Sequence, residues 1–155
     1  NNFLDKIFKT NIYSVFWGSK ASAKSLSENG TIINISSIAG KRGSKNNSAY
    51  VASKFAMNGV TQSLAKELGP QNIRVNAICP VLIKTEGLIK ALSEESSPAF
   101  KNIDLFLDDF TKNQTALNRL PSIDEVAQIV LFLASEKASA ITGQCINVDC
   151  GVFPQ

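Results

Sequence analysis

Ser37, Tyr50 and Lys54 are the side chains whose types and spacing fit proton chemistry. Tyr50 lies thirteen positions after Ser37, and Lys54 four positions after Tyr50. The chain has no histidine, the group that most often moves protons near neutral pH. A proton transfer here therefore needs another group with a shifted pKa. Residues i and i+4 share one face of a helix, which places Lys54 beside the Tyr50 hydroxyl. A cation so placed favours the phenolate and is expected to lower its pKa from about 10. Taken singly, each residue also has a plainer reading. Ser37 could be a loop serine or a helix cap, and Tyr50 with Lys54 a solvated surface pair.

These residues must be positioned by the elements around them. Phe8, Ile12, Val15 and Phe16 keep helical spacing, with Ala21 and Ala23 beyond, so a helix is expected over residues 3–28, stopped by Asn29-Gly30. Thr31 to Ser36 is isoleucine-rich and reads as a strand buried on both faces. A loop over 37–46 carries Gly40 and Gly43. A second helix is expected over 47–68, closed at Gly69-Pro70, with Ala49, Ala52, Ala56 and Gly59 allowing close packing. Ile73 to Cys79 reads as a strand ending at Pro80.

Residues 81–120 are too long for a simple connection and are read as a lid holding short helices. Ser122-Ile123-Asp124-Glu125 is a capping box. Val126, Ile129, Val130 and Leu133 continue it as an amphipathic helix. A last strand is expected over 143–149, ended by Gly151. Alternating helices and strands predict one α/β domain over 1–155, a doubly wound parallel sheet with helices on both faces. Ligands bind beyond the carboxyl ends of such strands. Ser37 and Pro80 both fall at that rim.

Composition narrows the function classes. Hydrophobic residues make up 44% and charged residues 19%, the balance of a globular chain. Net charge is +3, and no basic cluster exceeds Lys41-Arg42, so nucleic-acid binding is not indicated. No apolar run approaches a membrane span. The odd set Cys79, Cys145 and Cys150, without a C-x-x-C or histidine, argues against zinc and for small buried thiols. A reducing, cytoplasmic compartment fits this usage. The only methionine is Met57 and the first residue is Asn1, so residue 1 is expected to lie inside a longer protein.

Taken together, the ordered motifs resemble the short-chain dehydrogenase/reductase family, over nearly the whole chain. They are Asn11, Asn34-Ile35-Ser36-Ser37-x-Ala39-Gly40, Tyr50-x-x-x-Ser53-Lys54, Val75-Asn76-Ala77, Pro80-x-x-Ile83-x-Thr85, Ile141-Thr142-Gly143-Gln144 and Val148-Asp149. A lone Y-x-x-x-K is weak; the series is specific. The resemblance implies a Rossmann-like fold, NAD or NADP as cofactor, and a small alcohol or ketone as substrate. It implies Tyr50 as general acid/base and Lys54 as the group that tunes it and bonds the nicotinamide ribose. Ser37 would bond the substrate oxygen, and Asn11 would hold a water in a proton relay. Pro80, Val81, Ile83 and Thr85 would wrap the nicotinamide, and no metal is implied. A homodimer or homotetramer is expected, through the two long helices and the last strand.

Two positions depart from the family pattern. Val81 stands where glycine usually follows the proline, and Cys150 stands in the usual Asp-Gly-Gly. The phosphate-binding G-x-x-x-G-x-G occurs nowhere among the nine glycines. The N-terminal strands and that motif are thus expected to precede residue 1. The competing reading is a truncated, non-catalytic fragment or binding scaffold. The 155-residue chain on its own is expected to aggregate along the Thr31–Ile35 edge and to bind no cofactor.

Overall fold

The computed structural model describes residues 2–26 and 28–154; Ser27, inside the expected first helix, lies outside them. Three strands, β1 (Thr31–Ile35), β2 (Arg74–Pro80) and β3 (Cys145–Val148), form a parallel sheet in the order β1-β2-β3. Ile33 pairs with Asn76 and Ile35 with Ile78, while Ile78 pairs with Ile146. Strand β2 is central, and every residue from Val75 to Pro80 is buried. That burial on both faces is what an apolar parallel strand requires.

Side chains of β2 alternate between two cores. Val75 packs with Ala65 and Leu68 of helix α3 (Ser48–Leu68). Ile78 packs with Val126 and Leu133 of helix α6 (Ile123–Ala134) on the other face. The α/β sandwich expected from the element order is therefore present. The capping box also forms: Ser122 accepts from the Glu125 amide at 3.1 Å, and Glu125 accepts from the Ser122 amide at 2.8 Å.

The expected helix over 3–28 is interrupted. Helix α1 (Asn2–Phe8) passes through a π-helical turn (Lys9–Tyr13) into α2 (Ser14–Ser25). The Ser14 hydroxyl donates to the Thr10 carbonyl there, a side-chain bond that competes with the regular ladder. Helix α3 begins one residue later than expected and runs to Leu68. Its exit uses Asn72, not Gly69, in the left-handed region, at φ 57°. The last strand is shorter than the expected 143–149. Gly143 and Gln144 are instead held by main and side chain: Gly143 N donates to Val75 O at 2.7 Å, Gln144 N donates to Asn76 Oδ1 at 3.0 Å, and Asn76 Nδ2 donates to Ile141 O at 2.8 Å.

Residues 81–120 carry two helices, α4 (Glu86–Leu92) and α5 (Ile103–Gln114). Leu92, Ala99 and Leu107 give this segment its own small core, with Phe106 against it. Phe110 instead packs on Ile38, Cys79, Val81 and Val152, which seats α5 on the end of the sheet. Of the three free cysteines only Cys79 is buried; Cys145 and Cys150 are half-buried. No helix of the described residues is long and apolar enough to cross a membrane.

Candidate active site

The carboxyl ends of β1 and β2 and one face of α3 build the site. After Ile35 the chain turns at a short 3-10 turn (Ile38–Gly40), and Ser37 caps that turn by accepting the Ala39 amide at 3.1 Å. Its hydroxyl also lies 3.4 Å from the Pro80 carbonyl at the end of β2. Ser37 and Pro80 thus meet at one rim, as the strand order requires. Ser36 is buried and lies against the Cys79 thiol. It is the neighbour Ser37 that faces Tyr50.

Tyr50 and Lys54 occupy the first two turns of α3, which the sequence Ser48 to Leu68 sustains without an internal proline. Lys54 is buried, at 7% exposure. Its ammonium donates to the Ile35 carbonyl at 2.9 Å and lies 5.6 Å from the centre of the Tyr50 ring. The cation therefore sits against the phenol's face, anchored to the strand end. The electrostatics differ from the expectation for an isolated helix pair. Burial raises the Tyr50 pKa above 10.0, and the Ser37 hydroxyl draws it back down. Burial also lowers the Lys54 pKa, with Cys79 acting in the opposite sense. In this environment desolvation is the first cause of both shifts.

Asn11 reaches the cluster indirectly. The π-helical turn presents its amide, which donates to Ser53 Oγ at 2.9 Å, and Ser53 donates to the Tyr50 carbonyl at 2.7 Å. Turns of this kind recur at functional sites. The remaining predicted residues are more dispersed. Pro80 closes β2. Val81 is buried in the cluster with Ile38 and Cys79, and its amide donates to Val148 O at 3.3 Å. Its φ is not positive, so a β-branched side chain fits where glycine is usual. Ile83 packs against the Ile78 core. Thr85 caps α4 by accepting from the Leu88 amide at 3.2 Å.

Sequence reasoning did not single out Asn58 or the Asn34–Thr61 pair. Asn34 Nδ2 donates to Thr61 Oγ1 at 2.9 Å, which ties β1 to α3 in the interior. Asn58 donates to the Gly40 carbonyl at 2.9 Å. The available signal was positional, since Asn58 and Thr61 continue the buried face of α3 that carries Lys54. Cys79 and Cys145, on neighbouring strands, share a hydrogen bond that draws the Cys79 thiol down and pushes the Cys145 thiol up. Among the described residues no cluster of three or more His, Cys, Asp or Glu could hold a metal ion.

The sequence profile described as Enoyl-(Acyl carrier protein) reductase matches residues 1–153. The 3-oxoacyl-[acyl-carrier-protein] reductase FabG of Aquifex aeolicus is 38% identical over 151 residues, covering 96% of this chain and 56% of the relative. A short chain dehydrogenase family protein from Francisella tularensis superposes with a TM-score of 0.91 at 28% identity, over 99% of this chain and 63% of its own. A 4-hydroxyisoleucine dehydrogenase complexed with NADH superposes with a TM-score of 0.80 at 29% identity, over 99% of this chain and 60% of its own. The chain thus spans less than two thirds of the length of these relatives.

Proposed function

Because the chain belongs to the short-chain dehydrogenase/reductase family, we propose that the protein interconverts a secondary alcohol and a ketone with NAD or NADP, Tyr50 acting as general acid/base. The observation that carries this reading is the convergence of Ser37, Tyr50 and Lys54 at the carboxyl rim of β1 and β2. The nicotinamide, when bound, supplies or accepts the hydride. The phenol donates a proton to the carbonyl oxygen in reduction and removes the hydroxyl proton in oxidation. Ser37 bonds the same oxygen and steadies its developing charge.

The residues present fit the nicotinamide ribose. An ammonium carries three donors, and Lys54 gives one to the Ile35 carbonyl and a second only a long approach to Met57 Sδ at 4.0 Å. Donors therefore remain for ribose hydroxyls. Ile35, 50% exposed at the strand end, offers an apolar surface beside them. Pro80, Val81, Ile83 and Thr85 are assigned to the nicotinamide, with the Thr85 hydroxyl taking its carboxamide. Asn11, tied to α3 by its bond to Ser53, holds a water that links Lys54 to solvent as a proton relay. No G-x-x-x-G-x-G cradle for pyrophosphate occurs among the 155 residues.

The segment 81–120 is assigned as the substrate lid, since Phe110 seats α5 against Val81 and Ile38 beside Ser37. A small alcohol or ketone is the substrate class, in a cytoplasmic setting. Assembly as a homodimer or homotetramer is part of the proposal. Phe3, Tyr13, Phe16, Trp17 and Phe55 are 46–66% exposed on α1, α2, α3 and the turn between α1 and α2, a row of aromatics that a second copy would cover. Gly59 leaves open space on α3.

The test is turnover by the full-length protein with NADH and NADPH against a panel of ketones, read from the absorbance of the reduced nicotinamide. Ketone-dependent oxidation of one cofactor is expected. Neither binding nor turnover of either cofactor would overturn the proposal and favour a non-catalytic scaffold.

A further inference from the structure

We propose that Asn58 is a positioning residue for Ser37, acting through the turn at Ile38–Gly40; the inference rests on the functional reading above. Asn58 lies one helical turn beyond Lys54 and two beyond Tyr50 on α3, and it is 8% exposed. Asparagine is a poor helix former, and a buried amide in a helix interior needs hydrogen-bond partners to be tolerated. Its partner is not in the helix. Nδ2 donates to the Gly40 carbonyl at 2.9 Å, while Oδ1 receives only a long contact from Cys79 Sγ at 3.9 Å.

That bond seats the turn directly on α3. A Cβ on Gly40 would lie 2.7 Å from Asn58 Nδ2 and 2.7 Å from the Lys54 carbonyl oxygen. The turn therefore touches the helix at Lys54 and Asn58, one and two turns beyond Tyr50 on its inner face. Within the turn, Gly40 N donates to Ser37 O at 2.9 Å and Ala39 N donates to Ser37 Oγ at 3.1 Å. The seat of Gly40 thus sets both the backbone and the hydroxyl of Ser37, and with them its approach to Tyr50. An aliphatic residue at position 58 would fill the same space and favour the helix more. Only a donor of this reach holds the Gly40 carbonyl.

The test is a double-mutant cycle in the full-length enzyme, with Asn58→Leu and the milder Asn58→Ser each made alone and in a Ser37→Ala background. Alone, each should lower kcat by about tenfold, with the nicotinamide KM within about twofold of the parent. The Ser37 hydroxyl lowers the Tyr50 pKa, so its displacement raises that pKa, and the pH at which alcohol oxidation sets in should move upward. In the Ser37→Ala background the same substitutions should cost less than about twofold. The same loss in both backgrounds, or parental kcat and pH profile in both single variants, overturns the inference. If Asn58→Leu fails to fold, Asn58→Ser gives the decision. Parental turnover by Ser37→Ala alone would overturn the role given to Ser37, and this inference with it. Additive losses beside a Ser37→Ala variant whose own turnover is lowered but measurable would overturn only the inference.

Discussion

Replacing Lys54 by Met should separate catalysis from stability. The ammonium is 7% exposed and its one short bond goes to the Ile35 carbonyl. A hydrogen bond from a charged donor contributes about 1.5–3 kcal/mol. Stripping water from an ammonium costs several kcal/mol. Burial is the first cause of the lowered Lys54 pKa, so the cost of desolvation opposes the gain from the bond. Methionine keeps the length of the stem, adds apolar burial, and leaves one carbonyl without its donor. The expected unfolding free energy at pH 7 is unchanged to about 1 kcal/mol higher, while turnover falls by at least about a hundredfold. The pH dependence carries a second signature. A lysine with a depressed folded pKa binds fewer protons in the folded state, so stability rises with pH between the folded value and the ordinary 10.5. Lys54→Met should lose that rise. Urea titrations of the full-length protein at pH 7 and at alkaline pH, beside steady-state rates, measure all three quantities. A loss exceeding about 2 kcal/mol at pH 7 would refute the desolvation argument. Turnover within about tenfold of the parent would refute the catalytic one.

Asn76→Leu removes the two side-chain bonds that Asn76 makes to the approach to β3 and leaves Ile141 O and Gln144 N without partners, while the bonds of Thr142 and Gly143 to Val75 remain. Urea titration should show a loss of about 2–4 kcal/mol, and a loss under about 1 kcal/mol would contradict the clamp. Cys150 holds φ 54°, a conformation that costs a non-glycine residue about 1–2 kcal/mol. Cys150→Gly should leave the melting temperature equal to the parent or a few degrees above it. Gly151→Ala places a Cβ 2.6 Å from that of Ala116, at φ 83°. It should lower the melting temperature clearly, and a neutral result would show that the Ala116 contact yields.

Sequence legibility followed the range of the interactions. Helix α3 and the face shared by Tyr50 and Lys54 were readable, because the two residues are related by local helical geometry alone. So were the capping box at Ser122 and the shared rim of Ser37 and Pro80, which follows from parallel strand order. The break at Lys9–Tyr13 was not, since it depends on a Ser14 side-chain bond and on Asn11 reaching Ser53 across 42 positions. The Tyr50 pKa was misread for a related reason. The i, i+4 argument counts the cation and omits burial, and burial is set by residues from β1 and β2 packed around α3. Asn58 was passed over because a lone asparagine carries no periodic signal, and Asn76 entered only through the Val75-Asn76-Ala77 motif, with no partner attached to it. Each acts on a main-chain group 18 to 68 positions away.

The central claim is that the Tyr50 hydroxyl is the group that moves the proton. None of these 155 residues is a histidine, so none of them offers an imidazole in its place. Tyr50→Phe removes one oxygen and keeps the ring against Lys54. The direct measurement is steady-state turnover of Tyr50→Phe in the full-length protein, beside its cofactor Kd. Turnover below about 1% of the parent with an unchanged Kd is predicted; turnover within about tenfold of the parent would contradict the assignment.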